Sequence, residues 1–135
     1  MSVHVELVSP EQMLYSGDAE MIVARTTEGD IAFLPGHAPF LGSLGIGVVR
    51  IILDGDNEEV AAIHGGFVEV RGGNVIVLTD VAEMSGDIDV ERATAARERA
   101  QQAMDSEPTA EVEAALARAT TRLVAAGAAD EASLS

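Results

Sequence analysis

Glycine and alanine are split along this chain in a way that leaves few folds open. Residues 1–86 hold 12 of the 13 Gly, whereas residues 87–135 hold one Gly and 15 Ala. Glycine serves tight turns and close backbone approaches, and alanine is the strongest helix former. The first stretch therefore reads as short strands joined by sharp turns, the second as helix, and the change falls near Ser85-Gly86-Asp87. A chain of 135 residues can bury a core of about 85 residues with a small appendage, but not two large domains. The expected organisation is a β unit over 1–86 and a helical tail over 87–135.

Within the first stretch Val3, Val5 and Leu7 alternate with His4 and Glu6, the pattern of a half-buried strand. Glu28-Gly29-Asp30, Asp54-Gly55-Asp56-Asn57 and Arg71-Gly72-Gly73-Asn74 are hairpin turns between apolar runs such as 48–53, 60–63 and 75–78. Many short strands at this spacing predict a sandwich or barrel. The segment from Leu34 to Gly47 is the most demanding conformationally: Pro35 presets one backbone angle, Gly36 supplies the positive φ of a type II turn, and Pro39 pushes Ala38 toward an extended form. Nothing in it is an evident catalytic group.

In the second stretch Asp89 is placed to cap a helix over 90–104, whose Ala93, Ala96, Ala100 and Ala103 share one face. Residues 104–108 interrupt it, Thr109 can cap a second helix, and Val112, Leu116, Ala119, Leu123 and Ala126 recur at helical spacing. The two stripes predict an antiparallel hairpin. A buried methyl contributes about 0.8 kcal/mol against about 1.5–3 for a leucine side chain, so a seam mostly of alanine is weakly held.

Charge and composition exclude several functions. The net charge is −15, and all eight basic residues are Arg, so nucleic acid and anionic lipid would be repelled. The absence of Lys fits either a salt-adapted organism or a GC-rich genome. No Cys is present, hence no disulfide framework or thiolate metal site, and no run of 18 apolar residues or signal-peptide start occurs, so no direct membrane insertion is expected. His4, His37 and His64 lack the close spacing of a metal site, Ser43 has no motif tying it to a histidine, and the P-loop lysine is missing. Arg92 and Arg99 lie seven apart on the first helix, and Arg118 and Arg122 one turn apart on the second. They could hold a polyphosphate, or instead pair with Glu91, Glu98, Glu111 and Asp130 as solvated ions.

The block Leu34-Pro35-Gly36-His37-Ala38-Pro39-Phe40, followed by His64-Gly65-Gly66-Phe67-Val68-Glu69-Val70 and by Asn74 to Asp80, resembles the epsilon subunit of F-type ATP synthases, where the same blocks come in this order. The resemblance covers nearly the whole chain. It implies a flattened sandwich of about ten strands followed by a two-helix hairpin. It further implies a non-catalytic rotor subunit on the cytoplasmic face of a bacterial cell membrane, docked on the gamma subunit and the ring of c subunits. Pro35, Gly36, His37, Pro39 and Phe40 then become candidate contact or loop-shaping residues.

The same resemblance implies that the tail folds on the sandwich or extends along gamma toward the alpha/beta hexamer, where Arg118 and Arg122 would meet acidic groups and restrain ATP hydrolysis. Val124-Ala125-Ala126-Gly127 and the acidic Asp130-Glu131 depart from relatives with a more basic final helix, so strong inhibition is not expected. Ile88-Asp89-Val90-Glu91-Arg92-Ala93 matches the family's short ATP-binding motif. By that likeness Glu83, Ile88, Asp89, Arg92, Ala93, Arg99 and Arg122 would face a regulatory ATP, with no cofactor required. Two rival readings are a freestanding ATP-sensing module and a small jelly-roll metalloenzyme using at least two of the three His.

Overall fold

The computed structural model describes residues 1–134; Ser135, the last residue of the predicted tail, lies outside the described residues. Eight strands precede two helices: β1 Val3–Val8, β2 Met13–Ala19, β3 Met21–Thr26, β4 Gly29–Phe33, β5 Phe40–Asp54, β6 Asn57–Arg71, β7 Asn74–Thr79 and β8 Ala82–Met84, then α1 Val90–Ser106 and α2 Ala110–Ala125. Short 3-10 turns occupy Ser85–Asp87 and Glu131–Leu134.

The strand order is β2-β1-β7-β6-β5-β3-β4, with β8 also on β6. Only the β1–β7 pair is parallel. Two long strands explain how one path makes two layers. Residues 66–71 of β6 pair with β7 and with residues 40–44 of β5, whereas residues 58–64 pair with residues 46–52, and Ala61 to Ile63 take β8. Each layer therefore has five members, one made from β2, β1, β7 and the first kind of half-strand, the other from β8, β3, β4 and the second. The expectation of about ten strands corresponds to eight once these two are counted whole.

Both layers turn their alternating apolar residues inward to one core. Val3, Val5, Leu7, Val68, Val70, Val75 and Val77 meet Ile22, Phe33, Val49, Ile51, Ala61 and Ile63 there. Period-two burial, as in the pattern of β1, follows from the pleat.

The layer change requires glycine. Gly65 and Gly66 have φ of 93° and 133°, and a Cβ on Gly66 would stand 2.1 Å from the Leu78 carbonyl oxygen. Thr79, buried, holds the bend with its Oγ1 2.9 Å from the carbonyl oxygens of Gly65 and Val81. The Leu34 to His37 turn has the expected form, with Gly36 at φ 84° and the His37 amide donating to Leu34 at 3.1 Å. Beyond Pro39, however, residues 40–47 are strand rather than loop, because Gly42 and Gly47 sit in register opposite Val68 and Ile63.

Asp89 accepts from the Arg92 amide at 3.0 Å and Thr109 from the Val112 amide at 3.2 Å, so both predicted caps form. The first helix runs two residues past 104, to Ser106, since Asp105 and Ser106 do not break a helix and the stop comes from Pro108 acting on Glu107. Gly127, at φ 78°, closes α2, with its own amide donating to Val124 and that of Ala128 to Leu123, a Schellman arrangement. One side of α2 packs on the outer face of the second layer, where Ala125 and Ala126 meet Val48, Val60, Ala62 and Ile88.

Replacing Gly66 with Ala should therefore destabilise the fold by about 3 kcal/mol or more, combining backbone strain with a clash against main chain. Gly45→Ala, at a position with open space and an ordinary φ, should stay within about 0.5 kcal/mol. Urea denaturation of the two variants measures the contrast, and equal midpoints would refute the assigned role of the bend.

Candidate functional site

Two surfaces carry the residues of interest. The first is the outer face of the layer built on β1, β2 and β7. Phe67 stands opposite Leu78 across β6 and β7 and opposite Ser43 across β5, with Leu41 two residues along. Leu41, Phe67 and Leu78 are 71%, 55% and 52% exposed. A shallow cleft of about 570 Å³ beside them is lined by Val8, Pro10, Gly66, Phe67 and Leu78 with Ser9, Thr79 and Asp80. Large apolar side chains in register thus lie exposed on an otherwise acidic protein, surface of the kind found at protein–protein contacts.

The loop from Leu34 to Phe40 divides its residues between shape and surface. His37 and Phe40 turn inward on Phe33, with ring centroids 5.0 and 5.4 Å away, and the His37 Nδ1 lies 2.7 Å from the Ala38 carbonyl oxygen. Gly36 makes the turn, and Leu34, Ala38 and Pro39 remain exposed. Leu34, half exposed, is an apolar surface residue that sequence reasoning passed over; its place just before Pro35-Gly36 was the available signal.

The second surface lies where the hairpin starts. Glu83 on β8, Asp87 and Asp89 at the entry to α1, Arg92, Ala93, Ala96 and Arg99 along α1, and Arg122 from α2 line one cleft of about 380 Å³. Six of the seven residues expected to face a nucleotide are thus brought together. Ile88 does not line it. Its apolar side chain is buried with Ala62 and Ala125, where it fixes the start of α1 to the sandwich. A larger cleft of about 900 Å³ continues between the helices past Ala100, Ala103, Val112 and Arg118, sharing Ala96, Arg99 and Arg122 with the first. The alanine stripe faces inward as predicted, with Ala93 and Ala100 buried, but side chains this small leave the seam partly open.

The charges in the cleft are arranged unequally. Arg122 Nε donates to Glu83 Oε1 in a half-buried ion pair between α2 and β8. Asp89 is engaged as a helix cap. Among the described residues Arg92, Arg99 and Arg118 have no carboxylate within 4.0 Å, so the expected pairing of the helical arginines with Glu91, Glu98, Glu111 and Asp130 is not formed. Arg92 and Arg99 thus present guanidiniums able to meet phosphate oxygens.

Beneath α2 lies a histidine that sequence reasoning weighs only as a metal or catalytic candidate. Both ring nitrogens of His64 are buried and, among the described residues, have no hydrogen-bond partner, as is true of Thr121 Oγ1. Burial foremost, and then the Arg122 guanidinium, hold the His64 pKa down at about 4; Glu83 opposes this and Arg118 adds to it. The ring is therefore neutral at physiological pH, and its N–H goes unmatched at a cost of about 1–3 kcal/mol. The other two histidines lie elsewhere: His4 on β1 sits 3.1 Å from Asp18 and 3.6 Å from Glu6, and His37 is in the loop. Among the described residues no three His, Asp or Glu converge as a metal set, and no helix is long and apolar enough to cross a membrane.

Known proteins carry the same two parts in the same order. Residues 2–85 match the ATP synthase delta/epsilon chain beta-sandwich domain, and residues 87–127 match the delta/epsilon chain long alpha-helix domain. The ATP synthase epsilon chain of Brevibacillus brevis is 53% identical over 97 residues, covering 72% of this chain and 74% of its own. That of Halalkalibacterium halodurans is 40% identical over 131 residues, covering 93% and 98%. A chain of the Euglena gracilis mitochondrial ATP synthase, seen by cryo-EM in an assembly of OSCP, F1 and c-ring, has the same fold, with a TM-score of 0.71 at 24% identity over 94% of this chain and 78% of that one. A sandwich with an apolar outer strip and a docked alanine-rich hairpin, matched over almost its full length, makes this chain a member of the ATP synthase delta/epsilon-chain family.

Proposed function

We propose that this chain is a non-catalytic central-stalk subunit of an F-type ATP synthase at the cytoplasmic face of a bacterial membrane, coupling proton translocation to ATP synthesis. The sandwich over 1–86 would dock on gamma and the c-subunit ring, through the Leu41, Phe67 and Leu78 strip and the Leu34 to Phe40 loop. The observation that carries this reading is that strip, an apolar band in register on a protein of net charge −15. The Euglena relative, found with F1 and c-ring, supplies the partner class.

The hairpin over 87–135 is the regulatory part of the proposal. Docked, it would bind ATP in the cleft: Arg92 and Arg99 would take phosphate oxygens, Arg122 would contribute as far as Glu83 leaves it free, and Asp89 and Ala93 would shape the entry. Extended toward the alpha/beta hexamer, it would bring Arg118 and Arg122 to acidic partners and moderate ATP hydrolysis. The sparse seam, held by Ala93, Ala100, Ala119 and Leu123 with an open cleft alongside, supports a tail that can detach.

Replacing Phe67 and Leu78 with Asp should abolish co-purification with gamma while the isolated protein still melts cooperatively. Deleting residues 87–135 should leave gamma binding intact. Retained binding by the double Asp variant would move the interface elsewhere, and failure of the intact chain to bind gamma would favour a freestanding ATP-sensing module.

ATP at a hundredfold excess over its Kd should stabilise the chain by about 2.7 kcal/mol, read as a rise in Tm. Arg92→Ala with Arg99→Ala should remove that rise and leave the nucleotide-free Tm unchanged, since both side chains are exposed and neither holds a carboxylate among the described residues. No rise in the wild type at millimolar ATP would eliminate the nucleotide site.

A further inference from the structure

His64 is a buried titratable group that neither the contact strip nor the nucleotide cleft uses. It lies on β6 opposite Ile46, one residue before the Gly65–Gly66 bend and two beyond Ala62, which packs under Ala125. That position places the ring under α2, on the stripe formed by Arg118, Thr121, Arg122 and Ala125. The charged groups facing it are Arg118 and Arg122 from α2 and Glu83 from β8, while its β5 neighbour Ile46 is apolar.

These groups belong to different parts of the molecule. If α2 leaves, Arg118 and Arg122 leave with it and the ring gains water, whereas Glu83 stays on β8 beside Ala62. Every change favours the charged imidazole. The covered ring resists protonation down to about pH 4, whereas an uncovered one takes a proton near its ordinary value of about 6.5 or above. Between those limits the undocked form binds more protons than the docked form. By linkage the docked form loses ground as pH falls through that window and is fully favoured above it.

We propose that His64 is a proton-driven release for the hairpin: acidification charges the imidazole under α2 and frees the tail while the sandwich stays folded. The proposal rests on the reading that the hairpin can leave the sandwich. The ratio of released to docked tail rises by up to about tenfold per pH unit between about 6.5 and 4.

The chain has no Cys, so Asp56→Cys in the β5–β6 turn and Asp105→Cys near the end of α1 provide label positions for a distance measurement on the full chain from pH 7.5 to 5. The expected result is a growing long-distance population on acidification, with sandwich amide signals unchanged, and no such growth in His64→Gln. A distance that lengthens on adding gamma but not on acidification overturns the proton release and keeps the mobile tail. A distance fixed under both conditions overturns both. A His64→Gln chain with the wild-type pH response overturns the assignment to His64. Direct NMR titration of the imidazole, one of three in the chain, tests it independently of any variant. A His64 pKa near 6.5 in the docked state would be decisive against it.

Discussion

The close approach of Gly66 to the Leu78 carbonyl is the constraint on which the architecture turns. Without it β6, held in fixed register by β5, β7 and β8, could not pass from one layer to the other; the strand would run on straight and leave an apolar face uncovered. With it, a single antiparallel pair of long strands supplies members to both layers and closes one core between them. The bend also decides what lies outside. Phe67, immediately after it, emerges on the outer face of the first layer, and His64, just before it, on the outer face of the second. The exposed apolar strip and the surface the hairpin packs on are therefore two consequences of one backbone feature.

The hairpin is fastened by interactions of a different kind. The sandwich core is made of fully buried Val, Ile, Leu and Phe, each contributing about 1.5–3 kcal/mol. The tail sets Ile88, Ala125 and Ala126 against Val48, Val60 and Ala62 of the sandwich, with, among the described residues, a half-buried ion pair between Arg122 and Glu83. Against that stand His64 and Thr121, whose buried polar atoms give up water and find no partner. Among the described residues, apolar contacts and a half-buried ion pair thus favour docking, while unmatched polar groups oppose it.

Much of this was legible in the sequence, and the parts that were not share a cause. The strand-to-helix change, the two caps and the type II turn at Pro35-Gly36 are local, set by residue types within a few positions of one another, and all formed. That Arg92 and Arg99 share a helix face followed from helical spacing, whereas Asp89 joined them only through the resemblance. What eluded the sequence was non-local. That residues 40–47 are strand depends on glycines placed opposite Val68 and Ile63 in β6. That Ile88 is an anchor depends on Ala62 and Ala125. In the sequence His64 reads only as a metal or catalytic candidate and as part of the block behind the resemblance, and its place beneath α2 depends on residues such as Arg118 and Arg122, more than fifty positions away. Only the fold puts those residues in one place.

A tail that responds to ligands must have docked and undocked forms within a few kcal/mol of each other, because a ligand can shift an equilibrium only by its difference in affinity for the two forms. A leucine-rich seam would put that balance beyond the reach of a nucleotide or a proton. On the proposed reading of a detachable tail, alanine in the seam and a neutral histidine beneath it favour a balance within that range. Arg122 joins the two influences, since it lines the cleft with Arg92 and Arg99 and also lowers the affinity of His64 for a proton. An anion that neutralises Arg122 in the docked form reduces its repulsion of a charged His64, so anion and proton cannot act independently. By reciprocity, whatever the anion does to the imidazole's proton affinity, the proton does to the anion's binding. The ion pair with Glu83 would limit the size of that coupling, because it already partly neutralises the Arg122 guanidinium.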